Sequence, residues 1–228
     1  MIDSQLDGHQ RINDILFGKI ERRLLAWFCI RMPVWVTPDM LTFVAFVAGI
    51  IIAVSYALTN VSPVFVWLAS LGLIIHWFGD SLDGSLARHR KIERPRYGFF
   101  IDHSTDTLVE VMIALGIGLS AYVRLDCVLF ALSAYLMMSV LVSNTTCITG
   151  VFQISYCKFG PTELRILIII ANTIFYFVEN PVIFNFYGPM KVCDIIAIGI
   201  GVALMIVYIF TALKTALALR RNEDSFKI

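Results

Sequence analysis

The sequence has few charged residues, since aspartate, glutamate, lysine and arginine together make up 15% of its 228 residues. A soluble domain usually carries about 25% charged residues. This shortage, together with a hydrophobic share of 58%, excludes an ordinary soluble protein. The formal net charge is only +1, so we expect no nucleic-acid partner. The composition indicates a single integral membrane domain.

The sequence also lacks a cysteine framework and the pattern of a cleavable signal. Its five cysteines are odd in number, scattered and mostly placed within apolar stretches. They show no metal-ligand spacing, so we interpret them as small apolar residues. Residues 1–13 are polar and contain no short apolar core of the kind a signal peptide needs. We therefore expect neither a disulfide scaffold nor a leader.

Long apolar segments, in contrast, are abundant. A membrane-spanning helix needs about 20 mostly apolar residues, and the sequence predicts six such helices. The second and third are apolar only in their outer parts, because their inner turns carry aspartates. The predicted spans are 40–59, 63–87, 98–121, 127–150, 162–179 and 190–213.

The segment 11–30, before the first predicted span, has the pattern of an amphipathic helix. Its basic residues fall largely between apolar side chains that recur at helical spacing, and Trp27 suits a membrane interface. A seventh span is the alternative, but four basic residues and Glu21 disfavour it. The apolar positions are Ile12, Ile15, Leu16, Ile20, Leu24 and Phe28, and the basic ones are Arg11, Lys19, Arg22 and Arg23.

The distribution of lysine and arginine predicts how the chain is oriented and divided. With six spans, all of these residues except Arg124 and Lys191 fall on one side of the membrane. That side is the cytoplasm by the positive-inside rule. We therefore expect an all-α, multi-pass membrane protein, in the plasma (inner) membrane if it is bacterial. Its predicted parts are a cytoplasmic N-terminal region (1–39), a six-helix catalytic domain (40–213) and a cytoplasmic tail (214–228).

The inner turns of the second and third predicted spans carry four carboxylates. Side chains three and four positions apart share one face of a helix, and the short connection lets the two faces meet. Carboxylates at membrane depth are costly without a partner, an ion or water, so we expect a cation here. Oxygen ligands suit Mg²⁺ or Mn²⁺, as one ion or two. The two stripes are Asp80, Asp83, Gly84 and Ala87, and Gly98, Asp102 and Asp106.

Other interpretations of these aspartates stay open on the residues alone. A single intramembrane aspartate can cap a helix, relay protons or belong to a structural ion pair. A cation or proton transporter would place its carboxylates near the bilayer midplane, whereas these lie at the predicted cytoplasmic ends of helices. An intramembrane prenyltransferase would need two aspartate motifs, and this chain has one.

The pattern D-x-x-D-G-x-x-A-R, nine residues, then G-x-x-x-D-x-x-x-D resembles the signature of the CDP-alcohol phosphotransferases. All eight signature positions are present between Asp80 and Asp106. The resemblance implies six spans after an amphipathic helix, with a cytoplasmic site between the second and third spans. It also implies a metal-dependent enzyme, with two Mg²⁺ or Mn²⁺ ions, and a homodimer.

The same resemblance implies a role for each signature residue. Asp80, Asp83 and Asp102 are expected to bind metal. Asp106 is the expected general base, and it is expected to touch a metal as well. Arg88 is expected either to bind phosphate or to anchor a helix. The small residues expected to border the CDP moiety are Gly84, Ala87 and Gly98.

Two further segments resemble the family less specifically. At the start of the first predicted span, Asp39 and Thr42 are expected to contact the donor nucleotide, although this segment also suits a helix cap. At the start of the fifth predicted span, Glu163 and Arg165 are expected to face the acceptor cavity. The alternative there is that Thr162 and Glu163 cap the helix.

Two residues near the aspartates are candidates for the same acceptor cavity. Glu110 lies one turn beyond Asp106 and either extends the cavity or pairs with a hydroxyl of a neighbouring helix, since an unpaired buried glutamate is costly. His103 follows Asp102, and this Asp-His pair resembles eukaryotic choline and ethanolamine phosphotransferases.

The resemblance thus implies an enzyme of phospholipid biosynthesis. It would transfer a substituted phosphate group from a CDP-alcohol to an acceptor hydroxyl and release CMP. The small size of the chain favours CDP-diacylglycerol as donor and a small polar alcohol as acceptor. The alternative, which His103 favours, is CDP-choline or CDP-ethanolamine donating its head group to a lipid hydroxyl. Membrane lipids are the other expected partners.

Overall fold

The computed structural model describes residues 11–12, 18–149, 152–153, 161–178, 180–185 and 188–225, and these are almost entirely helical. The helices are α1 (Gly18–Arg31), α2 (Pro38–Leu58), α3 (Phe65–Arg90), α4 (Pro95–Gly118), α5 (Leu125–Thr149), α6 (Pro161–Phe177) and α7 (Val192–Ser225); the strands are β1 (Arg11–Ile12), β2 (Phe152–Gln153), β3 (Val182–Asn185) and β4 (Pro189–Lys191). Strands β1 and β2 pair in parallel, and strands β3 and β4 pair antiparallel.

Helices α2 to α7 follow the six predicted spans in order. Within the described part of the chain, four of them are long and apolar enough to cross a membrane: Pro38–Leu58, Phe65–Arg90, Leu125–Ile148 and Val192–Arg221. These four support an integral membrane protein. The number of spans stays a prediction, because α4 carries the acidic residues of the site and α6 has only 17 residues.

Helix α1 begins later than the amphipathic pattern predicts. Ile12 lies in strand β1, so the prediction of a helix from residue 11 is wrong there, and residues 13–17 lie outside the described part of the chain. Within α1, Leu25 and Cys29 are buried in a core cluster with residues of α3. Burial raises the pKa of the Cys29 thiol above its ordinary value. The placement of α1 on the membrane surface stays a prediction.

Helix α2 is the central element, because α3 and α4 both pack on it. Close approach requires glycine at two crossings. A Cβ on Gly79 would lie 2.6 Å from the carbonyl oxygen of Leu41, and one on Gly116 would lie 2.6 Å from the backbone of Ala53. Helix α6 packs on α3 and α7 packs on α5. The aspartate-bearing parts of α3 and α4 are therefore positioned through α2.

The Arg90 side chain joins the ends of α1, α2 and α3 that are predicted to lie in the cytoplasm. The Arg90 guanidinium donates to the carbonyl oxygens of four residues in the α1–α2 connection, at 2.5–3.2 Å. Lys91 follows in the left-handed conformation, with φ 57°, and ends α3. Pro95 then begins α4. Asp80 and Asp102 therefore lie on two helices that this short turn connects directly.

At the opposite end of the helices, buried Asp194 at the start of α7 links the α4–α5 connection to strand β4. Its two carboxylate oxygens accept hydrogen bonds from the backbone N–H groups of Arg124 and Lys191, each at 2.7 Å. The Lys191 ammonium also donates to the carbonyl of Ala121 at 2.6 Å. These bonds fix the end of α4 farthest from the aspartate motif.

Candidate active site

Three of the four motif aspartates converge. Asp80 lies on α3, and Asp102 and Asp106 lie one turn apart on α4. One carboxylate oxygen of each lies within 4.8 Å of the others. The side chains are partly buried, so the cluster concentrates negative charge where water is restricted. Such an arrangement needs a cation.

Asp83 instead faces helix α2. It is 7% exposed, and its Oδ2 accepts a hydrogen bond from Thr42 Oγ1 at 2.5 Å. Its Oδ1 accepts from the backbone N–H of Gly84. The sequence placed Asp83 on the same stripe as Asp80, but this structure engages its carboxylate with α2. Thr42, expected at the nucleotide, is thus in contact with a motif aspartate.

A basic side chain from α6 reaches the cluster. Arg165 donates to Asp80 Oδ2 at 2.6 Å, and both side chains are 15% exposed. Glu163 lies in the first turn of the same helix and is buried. The two residues expected at the acceptor cavity therefore lie at the start of α6, close to α3.

Glu110 and His103 lie at different depths beside the cluster on α4. Glu110 accepts a hydrogen bond from the Tyr135 hydroxyl of α5 at 2.5 Å, which agrees with the alternative that it pairs with a neighbouring helix. The His103 ring stacks on Phe99 with centroids 4.0 Å apart. Its Nδ1 lies 3.4 Å from a carboxylate oxygen of Asp102. His103 is therefore at the edge of the aspartate cluster.

The small residues of the motif leave open space. A Cβ on Gly98 would meet no heavy atom of the described residues within 4 Å. The three atoms nearest to a Cβ on Gly84, among the described residues, all belong to the end of the Arg88 side chain, and the first lies at 3.4 Å. Ala87 is half-buried on α3, one turn from Asp83. This space can admit a ligand against the helix backbone.

Two arginines lie close to the two glycines, Arg88 against Gly84 and Arg94 one turn before Gly98. Arg88 is exposed and donates to Ser85 Oγ at 3.3 Å. Arg94, just before α4, donates to Asp39 Oδ2 at 2.7 Å. Asp39 and Arg94 thus form an ion pair between the first turn of α2 and the residue before α4. The guanidinium groups supply positive charge suited to a phosphate ligand.

The oxygen donors of the cluster fit a divalent ion. A hard ion with metal–oxygen bonds of about 2.1 Å holds opposite ligands about 4 Å apart, which is compatible with oxygens of Asp80, Asp102 and Asp106 that lie within 4.8 Å of one another. Carboxylate-only donors favour Mg²⁺ or Mn²⁺ over zinc or copper. These three residues could therefore hold the metal.

Two residues that contact the site, Glu21 and Tyr135, were not among the candidates from the sequence. Glu21 of α1 accepts a hydrogen bond from Ser81, next to Asp80, whereas the sequence indicated it only as a charge that disfavours a membrane span. An acidic residue among basic ones on α1 was the available signal. Tyr135 bonds to Glu110, and nothing in the local pattern of α5 indicates it.

A comparison with protein families decides what these residues belong to. The family model described as CDP-alcohol phosphatidyltransferase matches residues 35–218, which is most of the chain. The chain belongs to this family. Members of the CDP-alcohol phosphatidyltransferase family are membrane transferases of phospholipid biosynthesis that use divalent metals. The match spans α2 to α7 and includes all four motif aspartates.

Two relatives share about a third of their aligned residues with the chain. It is 34% identical over 106 residues to Cholinephosphotransferase 1 of Danio rerio, and this alignment covers 42% of this chain and 28% of that protein. It is 32% identical over 105 residues to Archaetidylinositol phosphate synthase of Pyrococcus horikoshii, and this alignment covers 46% of this chain and 52% of that protein. The chain thus matches about half or less of each relative.

Proposed function

We propose that this protein transfers a substituted phosphate group from a CDP-alcohol to an acceptor hydroxyl and releases CMP. The observation that carries the proposal is the convergence of Asp80, Asp102 and Asp106 beside open space at Gly98. Carboxylates bind the metal, and the small residues admit the donor. The family match over residues 35–218 supports this reaction class.

The chemistry assigns one task to each part of the site. The acceptor hydroxyl attacks the phosphorus that bears the donor alcohol, and the bond from that phosphorus to the CMP oxygen breaks. Asp106 takes the hydroxyl proton, and CMP leaves with the electron pair of the broken bond. A divalent ion bound at this site supplies charge neutralisation for the phosphates and the leaving oxygen. Asp80 and Asp102 would hold it, Asp106 would touch it as well, and Asp83 would be a further ligand oriented by its bond from Thr42.

The acceptor approaches, in this proposal, from the side of α6. Arg165 and Glu163 lie at the start of that helix, and Glu110 and His103 lie on α4. The donor nucleotide would occupy the open space at Gly84, Ala87 and Gly98, with Arg88 countering phosphate charge. Asp39 and Thr42 border that space from α2.

The preferred substrates are CDP-diacylglycerol and a small polar alcohol. The Pyrococcus relative, named as an archaetidylinositol phosphate synthase, supports a small polar alcohol of the inositol phosphate type as acceptor. The alternative is that CDP-choline or CDP-ethanolamine donates its head group to a lipid hydroxyl. It is favoured by His103 next to Asp102 and by the Danio relative, named as a cholinephosphotransferase. The proposal also includes six spans, cytoplasmic termini and a homodimer.

The deciding experiment measures CMP release by the purified protein in lipid with Mg²⁺ or Mn²⁺. CDP-diacylglycerol, CDP-choline and CDP-ethanolamine are each offered with a panel of small alcohols and with diacylglycerol. We expect release that needs the metal and that falls at least about 100-fold in Asp106→Asn. Asp126→Asn, an exposed aspartate at the other end of the helices, is the matched control.

Each outcome decides between the proposals. The active donor and acceptor pair identifies the substrate arrangement. Full activity in Asp106→Asn would remove Asp106 as the base. Cation flux in proteoliposomes without any CDP-alcohol, combined with no CMP release, would instead establish a transporter.

A further inference from the structure

Glu21 on α1 has no task in the reaction above, yet its carboxylate joins three helices beside the site. Its Oε1 accepts hydrogen bonds from Trp77 Nε1 at 3.0 Å, from Ser81 Oγ at 3.3 Å and from Thr162 Oγ1 at 2.9 Å. Trp77 and Ser81 belong to α3, and Thr162 belongs to the first turn of α6. One oxygen of α1 therefore connects α3 with α6.

These bonds are part of a closed ring of contacts that includes a candidate metal ligand, Asp80. Ser81 follows Asp80 in the chain, and Asp80 accepts a hydrogen bond from Arg165 at 2.6 Å. Arg165 lies one turn after Thr162, which returns to Glu21. Hydrogen bonds to ionised carboxylates are shorter and about twice as strong as neutral ones. The ring therefore couples the position of Glu21 to that of Arg165.

The two halves of α6 are held in different ways. In its second half, apolar side chains pack on the core of α2 and α3, and Asn172 joins Tyr56 and Ser70 in a buried chain of hydrogen bonds. Its first turn meets α1 and α3 through the polar contacts of Thr162 and Arg165. The start of α6 thus depends on polar bonds to which Glu21 contributes.

Helix α1 is itself fixed at its other end. Leu25 and Cys29 are buried in the core cluster with α3, and Arg90 binds the carbonyls that follow α1. Glu21 lies one turn before Leu25, so this anchored helix holds the carboxylate in place. A rigidly placed acceptor orients its donors better than a mobile one.

We propose that Glu21 is a positioning residue, which holds the first turn of α6 against α3 so that Arg165 and Glu163 face the acceptor. This inference rests on the proposed function, because the acceptor is defined there. The donor site is built from α3 and α4, which are both held by packing on α2, whereas the start of α6 is held by its polar contacts with α1 and α3. Loss of Glu21 therefore affects the acceptor more than the donor.

The test separates the two substrates kinetically. In Glu21→Ala we expect the acceptor KM to rise roughly tenfold, as loss of charge-assisted hydrogen bonds implies, while the donor KM changes less than about twofold. Glu21→Gln keeps a carbonyl oxygen that can accept, so it recovers most of the loss. Thr162→Val reproduces the defect, and the double variant is no worse than Glu21→Ala, because both remove the same contact. Arg23→Ala, an exposed charge on the same helix, is the control.

A second readout does not depend on activity. Without substrate, amide hydrogen exchange in the first turns of α6 is expected to accelerate in Glu21→Ala, and exchange in α7 is expected to stay unchanged. If the wild-type protein releases no CMP but exchange accelerates, the proposed reaction fails and the tie between Glu21 and α6 stands. Unchanged exchange, or an equal rise of both KM values, would overturn the positioning role.

Discussion

Arg165 and Asp80 form an ion pair across the interface of α6 and α3, with 2.6 Å between nitrogen and oxygen. Both side chains are 15% exposed, so water screens the pair weakly. Asp80 is one of three converging carboxylates, and the other two are Asp102 and Asp106. The Arg165 guanidinium therefore balances part of the negative charge that a divalent ion would otherwise meet.

The first prediction concerns removal of this guanidinium. Arg165→Gln leaves Asp80 without its cation, which costs about 3 kcal/mol for a largely buried pair. We expect thermal unfolding in EDTA to occur at a lower temperature than in the wild type. Added Mg²⁺ or Mn²⁺ should stabilise the variant more than the wild type, because the ion replaces the missing charge. Differential scanning fluorimetry in detergent with metal titration measures both effects.

Lys at the same position is the control for this prediction. Arg165→Lys keeps the charge and loses the fork geometry, so its unfolding temperature in EDTA should lie between those of the wild type and Arg165→Gln. Identical metal stabilisation of all three proteins would show that Arg165 does not balance the charge of the cluster.

The second prediction concerns the bond from Thr42 to Asp83. If Asp83 contributes to the metal site, Thr42 is the partner that orients it, and loss of such a partner typically costs about 10- to 100-fold in metal affinity. Thr42→Val should therefore weaken Mn²⁺ binding by at least about tenfold, measured by calorimetry without substrate. Thr42→Ser keeps the hydroxyl and should bind normally. Equal affinity of Thr42→Val and wild type would make this bond a structural link between α2 and α3.

The third prediction separates two glycines on neighbouring helices. Gly79→Ala forces a Cβ against the Leu41 carbonyl, so we expect a loss of about 1–3 kcal/mol of stability from overpacking. Gly98→Ala meets open space among the described residues, and alanine favours a helix by up to about 1 kcal/mol. This variant should unfold no earlier than the wild type, yet its donor KM should rise. Thermal unfolding and CMP release measured side by side check both. A normal donor KM in Gly98→Ala would contradict donor binding there.

The fourth prediction concerns Asp194, which is fully buried. Asp194→Ala leaves the backbone N–H groups of Arg124 and Lys191 without their acceptor, at a cost of about 2–4 kcal/mol for the two donors. The specific activity of the folded fraction should persist, because α4 separates this end from Asp102 by roughly 24 Å. Asp194→Asn keeps one oxygen and should lose less stability. A loss of specific activity in the folded fraction would instead show that the Asp194 end of the helices is coupled to the aspartate cluster.

The fifth prediction concerns the number of spans. A membrane-impermeant maleimide applied to intact cells should label Val61→Cys and Asp126→Cys and leave Glu93→Cys unlabelled until the cells are opened. The reason is that the basic connections stay in the cytoplasm. The variants are made after replacement of the native cysteines by alanine. Protection of Asp126→Cys in intact cells would mean that α4 does not cross the membrane.

The periodic features of the sequence predicted much of the fold. Helices α2 to α7 follow the apolar segments because a membrane helix must satisfy its own backbone hydrogen bonds, which makes apolar length a strong signal. The motif spacing placed Asp102 and Asp106 on one face, since one helical turn separates them. The start of α1 was predicted wrongly at Ile12, because a weak alternation over a few residues does not distinguish helix from strand.

Contacts between distant segments could not be predicted. Arg165 is 85 positions from Asp80, and Thr162 is 141 positions from Glu21. Their meeting depends on how α6 packs on α3, which no local pattern encodes. Asp83 shows the same limit. Its helical spacing from Asp80 predicted a metal ligand, whereas its carboxylate faces Thr42 of α2.

The sequence by itself determined the helical segments, the orientation bias and the residues with metal-binding chemistry, because these depend on local spacing and composition. Only the tertiary structure decided which carboxylates converge, where Arg165 finds its partner and how Glu21 joins three helices. The physical reason is that packing of α3, α4 and α6 sets the distances between side chains. Coulombic and hydrogen-bond energies depend on those distances rather than on separation along the chain.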